Sequence, residues 1–198
     1  MIKMLVLTVQ VFSQFEKDEL ESSLLNTLWE HSITVGSFAR KIAETENAEQ
    51  KNIDHACMGG LLHDLGKLVL STKLSKKYVS VIELAKEERL ELFKLESEML
   101  GATHAEVGGY LLGLWGLSDP IVESLSFHHY PRKHQFKEFN PVTAVHVANV
   151  LDHKLSPLGT KAAVSEIDHD YLTELGLADR LPVWEKVCQN ILQEKNAK

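Results

Sequence analysis

Gly59-Gly60-Leu61-Leu62-His63-Asp64-Leu65-Gly66-Lys67-Leu68-Val69-Leu70 places a histidine and an aspartate side by side in an otherwise apolar run. A helix with this pattern is apolar nearly all round and belongs at the centre of a fold. A carboxylate withdrawn from water there is costly, or shifts its pKa, unless a cation stands beside it. A metal shared by His63 and Asp64 is the simplest such cation, and a pair merely hydrogen-bonded inside a core is the plain alternative. Successive helical side chains diverge by about 100°, yet an imidazole and a short carboxylate can still converge on an ion between them. Lys67 lies one turn beyond His63 on the same face. Gly59, Gly60 and Gly66 each weaken a helix interior by about 1 kcal/mol, so something is expected to pack closely against them.

Outward from this stretch, few prolines and short turn clusters separate long helical periodicities, which predicts an all-α chain. An apolar helix is expected over residues 2–15. A second runs from Asp18 to Glu46, with Leu24, Leu28, Val35, Phe38 and Ile42 on one stripe and His31 falling on it. The central helix follows from Asn52 to Leu70, and another from Ser75 to Glu88. Leu92 to Leu100 is a short helix that Gly101 ends. Thr103 caps a helix whose inner stripe is His104, Val107, Leu111 and Leu114. Ser118-Asp119-Pro120 starts the next, which ends in His128-His129. Pro141 opens a helix with Val142, Val145 and then Asn149 inside, and an amphipathic helix spans Pro182 to Gln193. The expected fold is a helical bundle around the His-Asp helix, with one domain over 1–155 and a helical extension over 156–198 packed on it.

The 198 residues suffice for a full core, and 44% hydrophobic with 25% charged residues excludes wholesale disorder. A net charge of −7 without a lysine-arginine stripe argues against nucleic acid as the main partner. Cys57 and Cys188 are far apart and have no close-spaced partners, which indicates neither a disulfide framework nor a thiolate zinc site. A reduced, cytoplasmic setting is expected. Met1 to Leu7 is apolar but leads to no small-residue cleavage site, and no stretch is long enough to span a membrane.

His31, His63, Asp64, His104, His128 and His129 put imidazoles or a carboxylate on the inner faces of four separate helices. One core cannot easily satisfy six such groups without a shared centre, and a metal is that centre. Imidazole and carboxylate ligands without thiolate suit iron, manganese, nickel or zinc. The set is large enough for two ions, which would clamp a phosphate with Lys67 neutralising its oxygens. His55, His134, His153 and His169 lie among polar residues and are expected at the surface, while His146, one turn before Asn149, is open.

His31 followed by His63-Asp64 and Gly66-Lys67 resembles the HD superfamily of metal-dependent phosphohydrolases. The longer series resembles its HDOD branch: Leu28-Trp29-Glu30-His31-Ser32, Gly60 to Leu70, Leu100-Gly101-Ala102-Thr103-His104-Ala105-Glu106-Val107-Gly108, Trp115-Gly116-Leu117, Phe127-His128-His129 and Val145-His146-Val147-Ala148-Asn149. The likeness covers roughly Lys3 to Leu155. It implies an all-helical regulatory module of bacterial signalling proteins, often joined to receiver or other sensory domains, in which hydrolase activity is generally not established.

Three departures refine that implication. HD hydrolases take a last aspartate from the helix after the paired histidines, and Asn149 stands at the matching position with no charge to offer. His128-His129-Tyr130-Pro131-Arg132-Lys133 lacks the acidic residue and Gly-Tyr-Pro loop of the related cyclic-dinucleotide phosphodiesterases. HDOD domains also carry further helices before the segment matched by Ile2 to Phe15. Residues 2–15 are therefore expected either to self-associate or to belong to a longer chain. The resulting expectation is a signal-transduction domain that binds metal but has no robust hydrolase activity. The alternative is a phosphohydrolase acting on a nucleotide or phosphodiester, with Asp64 and Lys67 as its catalytic groups.

Overall fold

The computed structural model describes residues 19–135, 138–155 and 165–196, and every element longer than one residue in them is helical. In chain order these are α1 (Glu19–Thr45), α2 (Gln50–Leu62), α3 (Leu65–Lys73), α4 (Ser75–Glu87), α5 (Leu92–Leu100), α6 (His104–Leu114), α7 (Asp119–Phe127), α8 (Pro141–Leu155), α9 (His169–Glu174) and α10 (Leu181–Asn196). Short 3-10 turns occupy Pro131–Lys133 and Ala178–Arg180. The segment 2–15, the side chain of Leu24 and any association through that segment lie outside the described residues.

Local signals set several helix ends. Gly101 closes α5 in the left-handed region, at φ 79°, where a side chain would be strained. Thr103 opens α6 with a capping box: its hydroxyl accepts from the Glu106 N–H at 3.1 Å, and its own N–H donates to the Glu106 carboxylate at 2.8 Å. Pro120 sits in the first turn of α7, where its missing N–H costs no hydrogen bond.

The expected single helix from Asn52 to Leu70 is instead two. Helix α2 ends at Leu62 and α3 begins at Leu65, with His63 and Asp64 in the turn between them. Asp64 takes φ −99° and ψ 8°, outside the helical well. The cause is tertiary, because α3 is drawn against α6: a β-carbon on Gly66 would overlap the backbone carbonyl of His104. A β-carbon on Gly60 would likewise stand 2.8 Å from Gly36 Cα in α1, and one on Gly59 would stand 2.7 Å from Ser124 Cβ in α7. The close packing expected at these glycines is therefore present.

Two apolar cores flank the His-Asp turn. Val35, Phe38, Ile42, Ile53, Ala56, Val145, Ala148 and Leu151 form one, and Tyr171, Leu172, Trp184 and Cys188 bring α9 and α10 onto it. Leu28, Leu62, Leu65, Leu68, Leu112 and Leu125 form the other, beneath α1, α2, α3, α6 and α7. A small third cluster, Val81, Ala85 and Leu95, joins α4 to α5.

Three histidines expected at the surface lie elsewhere. His55 and His134 are buried, the first 3.2 Å from the Ser118 hydroxyl and the second 3.1 Å from a Glu123 carboxylate oxygen. His153 is half-buried and stacked on His31, with ring centroids 4.7 Å apart. Their polar sequence neighbours occupy other sides of the chain, so local polarity misjudges the face each ring presents. His169 is exposed as expected. His146 is buried, linking the His128 carbonyl at 2.8 Å to the Asp168 N–H at 3.0 Å, which is a structural role.

Candidate metal centre

Four places in the fold deliver the six side chains. Helix α1 presents His31, the α2–α3 turn His63 and Asp64, the first turn of α6 His104, and the end of α7 His128 and His129. They form two groups of potential ligands, His31 with His63 and Asp64, and His104 with His128 and His129. Asp64 faces both: Oδ2 lies 3.7 Å from His31 Nε2 and 3.5 Å from His63 Nε2, and Oδ1 lies 3.2 Å from His104 Nε2. Lys67 Nζ donates to Asp64 Oδ2 at 2.6 Å.

Each imidazole is held by its Nδ1. His63 Nδ1 faces the Gly60 carbonyl at 2.8 Å, and His128 Nδ1 faces the Leu125 carbonyl at 2.7 Å. Carbonyls only accept, so both Nδ1 atoms carry the proton and each Nε2 presents a lone pair in the neutral ring. His31 Nδ1 contacts Asp152 Oδ2 and His104 Nδ1 contacts Glu96 Oε2, both at 2.6 Å, while His129 Nδ1 lies 3.0 Å from the Ser165 hydroxyl. The Nε2 atoms consequently turn inward. His31 and His63 bring theirs within 3.1 Å of each other, and His104 and His129 within 3.0 Å.

This donor set fits a divalent transition ion. Nitrogen and oxygen ligands about 2.0–2.2 Å from one ion stand roughly 3–3.6 Å from each other, and the first group has edges of 3.1, 3.5 and 3.7 Å. His128 Nε2 is buried without a hydrogen-bond partner among the described residues, which suits a metal ligand. The Nε2 lone pairs of His31 and His63, opposed at 3.1 Å, likewise call for a shared proton or cation.

Burial drives the imidazoles towards neutrality, the form that binds metal. It lowers His63 to about 3, against the pull of Asp64. Burial, reinforced by the neighbouring imidazoles, holds His128 and His129 well below the ordinary histidine value. Burial would raise Asp64, but His63, Lys67 and His104 together hold it well below the usual carboxylate range. His104 moves the other way: burial is the strongest influence and opposes its charge, but Glu96 and Asp64 together raise it.

Asn149 is buried on α8, its side-chain oxygen without a hydrogen-bond partner among the described residues. The carboxylate that α8 brings to the cluster is Asp152, one turn later, and it takes the Nδ1 side of His31. Sequence reasoning missed Asp152 and Glu96. Both had a signal: Asp152 follows Val145 and Asn149 on one stripe, and Glu96 lies midway between Leu92 and Leu100 at four-residue spacing.

Residues 1–131 match the HDOD domain. An uncharacterized protein of Treponema pallidum (strain Nichols) is 29% identical over 124 residues, which cover 62% of this chain and 24% of that protein. The match thus spans about a quarter of the relative's length. Among solved structures, an HDOD domain protein of unknown function from Geobacter sulfurreducens superposes with a TM-score of 0.68 at 26% identity, covering 87% of this chain and 60% of its own. A protein named for signal transduction from Marinobacter aquaeolei VT8 gives 0.67 at 17% identity, covering 85% and 37%. One named for a phosphohydrolase from Shewanella amazonensis SB2B gives 0.61 at 16%, covering 82% and 58%. At such identities the last two show the shared fold alone. With the family's pattern matched over most of its length, this chain belongs to the HDOD domain family.

Proposed function

We propose that the chain is a bacterial, cytoplasmic signal-transduction domain that holds one or two divalent transition ions and lacks robust hydrolase activity. The observation that carries this reading is the state of α8. Asn149 is neutral, and the one acidic residue of the helix, Asp152, is engaged by His31 Nδ1 at 2.6 Å. Among the described residues, Asp64 is then the only carboxylate in the two groups of potential ligands. His31, His63 and Asp64 hold the first position, and His104, His128 and His129 the second. A bound ion would supply positive charge for an oxyanion or water. The naming of the Marinobacter protein for signal transduction agrees with this reading, and a receiver or other sensory domain is the expected partner.

A second reading is favoured by Lys67, whose side chain keeps 18% exposure beside Asp64 and could meet a phosphate. In that reading the domain is a metal-dependent phosphohydrolase or phosphodiesterase with Asp64 and Lys67 as catalytic groups. Elemental analysis of the purified chain, with a panel of phosphatase and phosphodiesterase substrates, separates the two. Bound metal without turnover is expected, with a lower Tm after chelation because a ligand that binds only the folded state stabilises it. Robust turnover abolished by His63→Ala would establish the hydrolase instead.

A further inference from the structure

We propose that Glu96 is the positioning residue of the second metal position, acting through His104; the inference rests on reading the cluster as a metal site. Glu96 is fully buried, yet α5 contributes no ligand to either group. Its carboxylate collects three donors from two other helices. The His104 backbone N–H reaches Oε2 at 2.8 Å, His104 Nδ1 reaches the same oxygen at 2.6 Å, and the Tyr78 hydroxyl of α4 donates to Oε1 at 2.7 Å.

A carboxylate on Nδ1 fixes both the ring's orientation and its proton, and makes Nε2 a better donor to a metal. Here it points Nε2 at Asp64 Oδ1, 3.2 Å away, and at His129 Nε2, 3.0 Å away. Glu96 grips the backbone and the ring of the same residue, so His104 is anchored at two points. Tyr78 holds the other oxygen and keeps the carboxylate from turning. Backbone packing supports the same placement, since Gly66 abuts the His104 carbonyl. The role differs from that of Asp152, which serves His31 and the first position.

The test compares the unaltered chain with Glu96→Ala, Glu96→Gln and Tyr78→Phe, loaded with manganese or cobalt and titrated against a chelating indicator. Glu96→Ala should weaken the second ion by about 10–100-fold, the range for loss of such outer partners, and leave the first unchanged. Glu96→Gln, which keeps one acceptor, should fall between. Tyr78→Phe removes a buried hydrogen bond from the same carboxylate but spares the His104 contact, so it should lower Tm and weaken the second ion less than Glu96→Ala does. A ring-nitrogen NMR signal from a slowly exchanging His104 Nδ1 proton should be present in the unaltered chain and lost in Glu96→Ala. Folded Glu96→Ala with unaltered second-site affinity would overturn the inference alone, and if that variant does not fold, Glu96→Gln decides by the same criterion. No ion taken up by the unaltered chain would overturn the metal reading itself.

Discussion

Asp152 Oδ2 lies 2.6 Å from His31 Nδ1, tying α8 to α1 across 121 positions of the chain. Both side chains are largely buried, at 12% exposure for His31 and 7% for Asp152. The contact leaves His31 Nε2 facing His63 and Asp64, so Asp152 serves the first group from behind its histidine.

Asp152→Ala should therefore weaken metal retention at His31, His63 and Asp64 by about 10–100-fold, with Asp152→Asn milder because an amide oxygen still accepts. Chelator competition on the purified variants measures this. Equal affinity in a folded Asp152→Ala protein would show that His31 needs no such support.

Glycine substitutions should split by sign. Gly60→Ala drives a methyl to within 2.8 Å of Gly36 Cα, where both partners are backbone and cannot yield. A loss of about 1–3 kcal/mol or more is expected from overpacking. Gly113→Ala near the end of α6 meets nothing within 4 Å and should stabilise by about 0.5–1 kcal/mol. Urea denaturation of the two variants checks both directions.

Thr103→Ala removes the acceptor for the Glu106 N–H at the start of α6. The expected cost is about 1 kcal/mol, read as a lower denaturation midpoint. His104 is the first residue of that helix, so second-site metal affinity should fall alongside stability.

Acid should erase the contribution of Asp168. Burial would raise its carboxyl, but Arg132 at 2.9 Å and the Tyr171 N–H at 3.0 Å hold it below the ordinary aspartate value. With the folded value depressed, the unfolded chain binds more protons in the window between the two. The stabilisation is thus fully present above the unfolded value of about 3.9 and disappears as pH falls through the lower folded one. Asp168→Ala should cost about 0.5–2 kcal/mol near neutrality, as for a lost helix cap, and progressively less below about pH 3.9. A constant difference in midpoint from pH 7 to pH 3 would contradict this.

The sequence alone determined the helical class, most helix ends and the six converging side chains. Those features follow from local chemistry: Gly101 permits a left-handed stop, Thr103 and Glu106 cap each other, and a stripe at helical spacing marks the inner face of α1, where Leu28, Val35, Phe38 and Ile42 are buried. On α6 the expected stripe of His104, Val107, Leu111 and Leu114 does not hold, because the close approach to α3 and α7 buries Gly108, Gly109 and Leu112 and leaves Leu114 exposed. Tertiary structure alone decided what each inner face meets. The His63-Asp64 turn exists because Gly66 is drawn onto His104, a contact between residues 38 positions apart that no local propensity reports. Glu96 and Asp152 lay on readable stripes, but only the crossing of α5 with α6 and of α8 with α1 turns two buried carboxylates into holders of His104 and His31. His55, His134 and His153 were placed wrongly for the same reason. A helical pattern states which side of a residue faces inward, and the distance to its partner is settled only when two such faces pack.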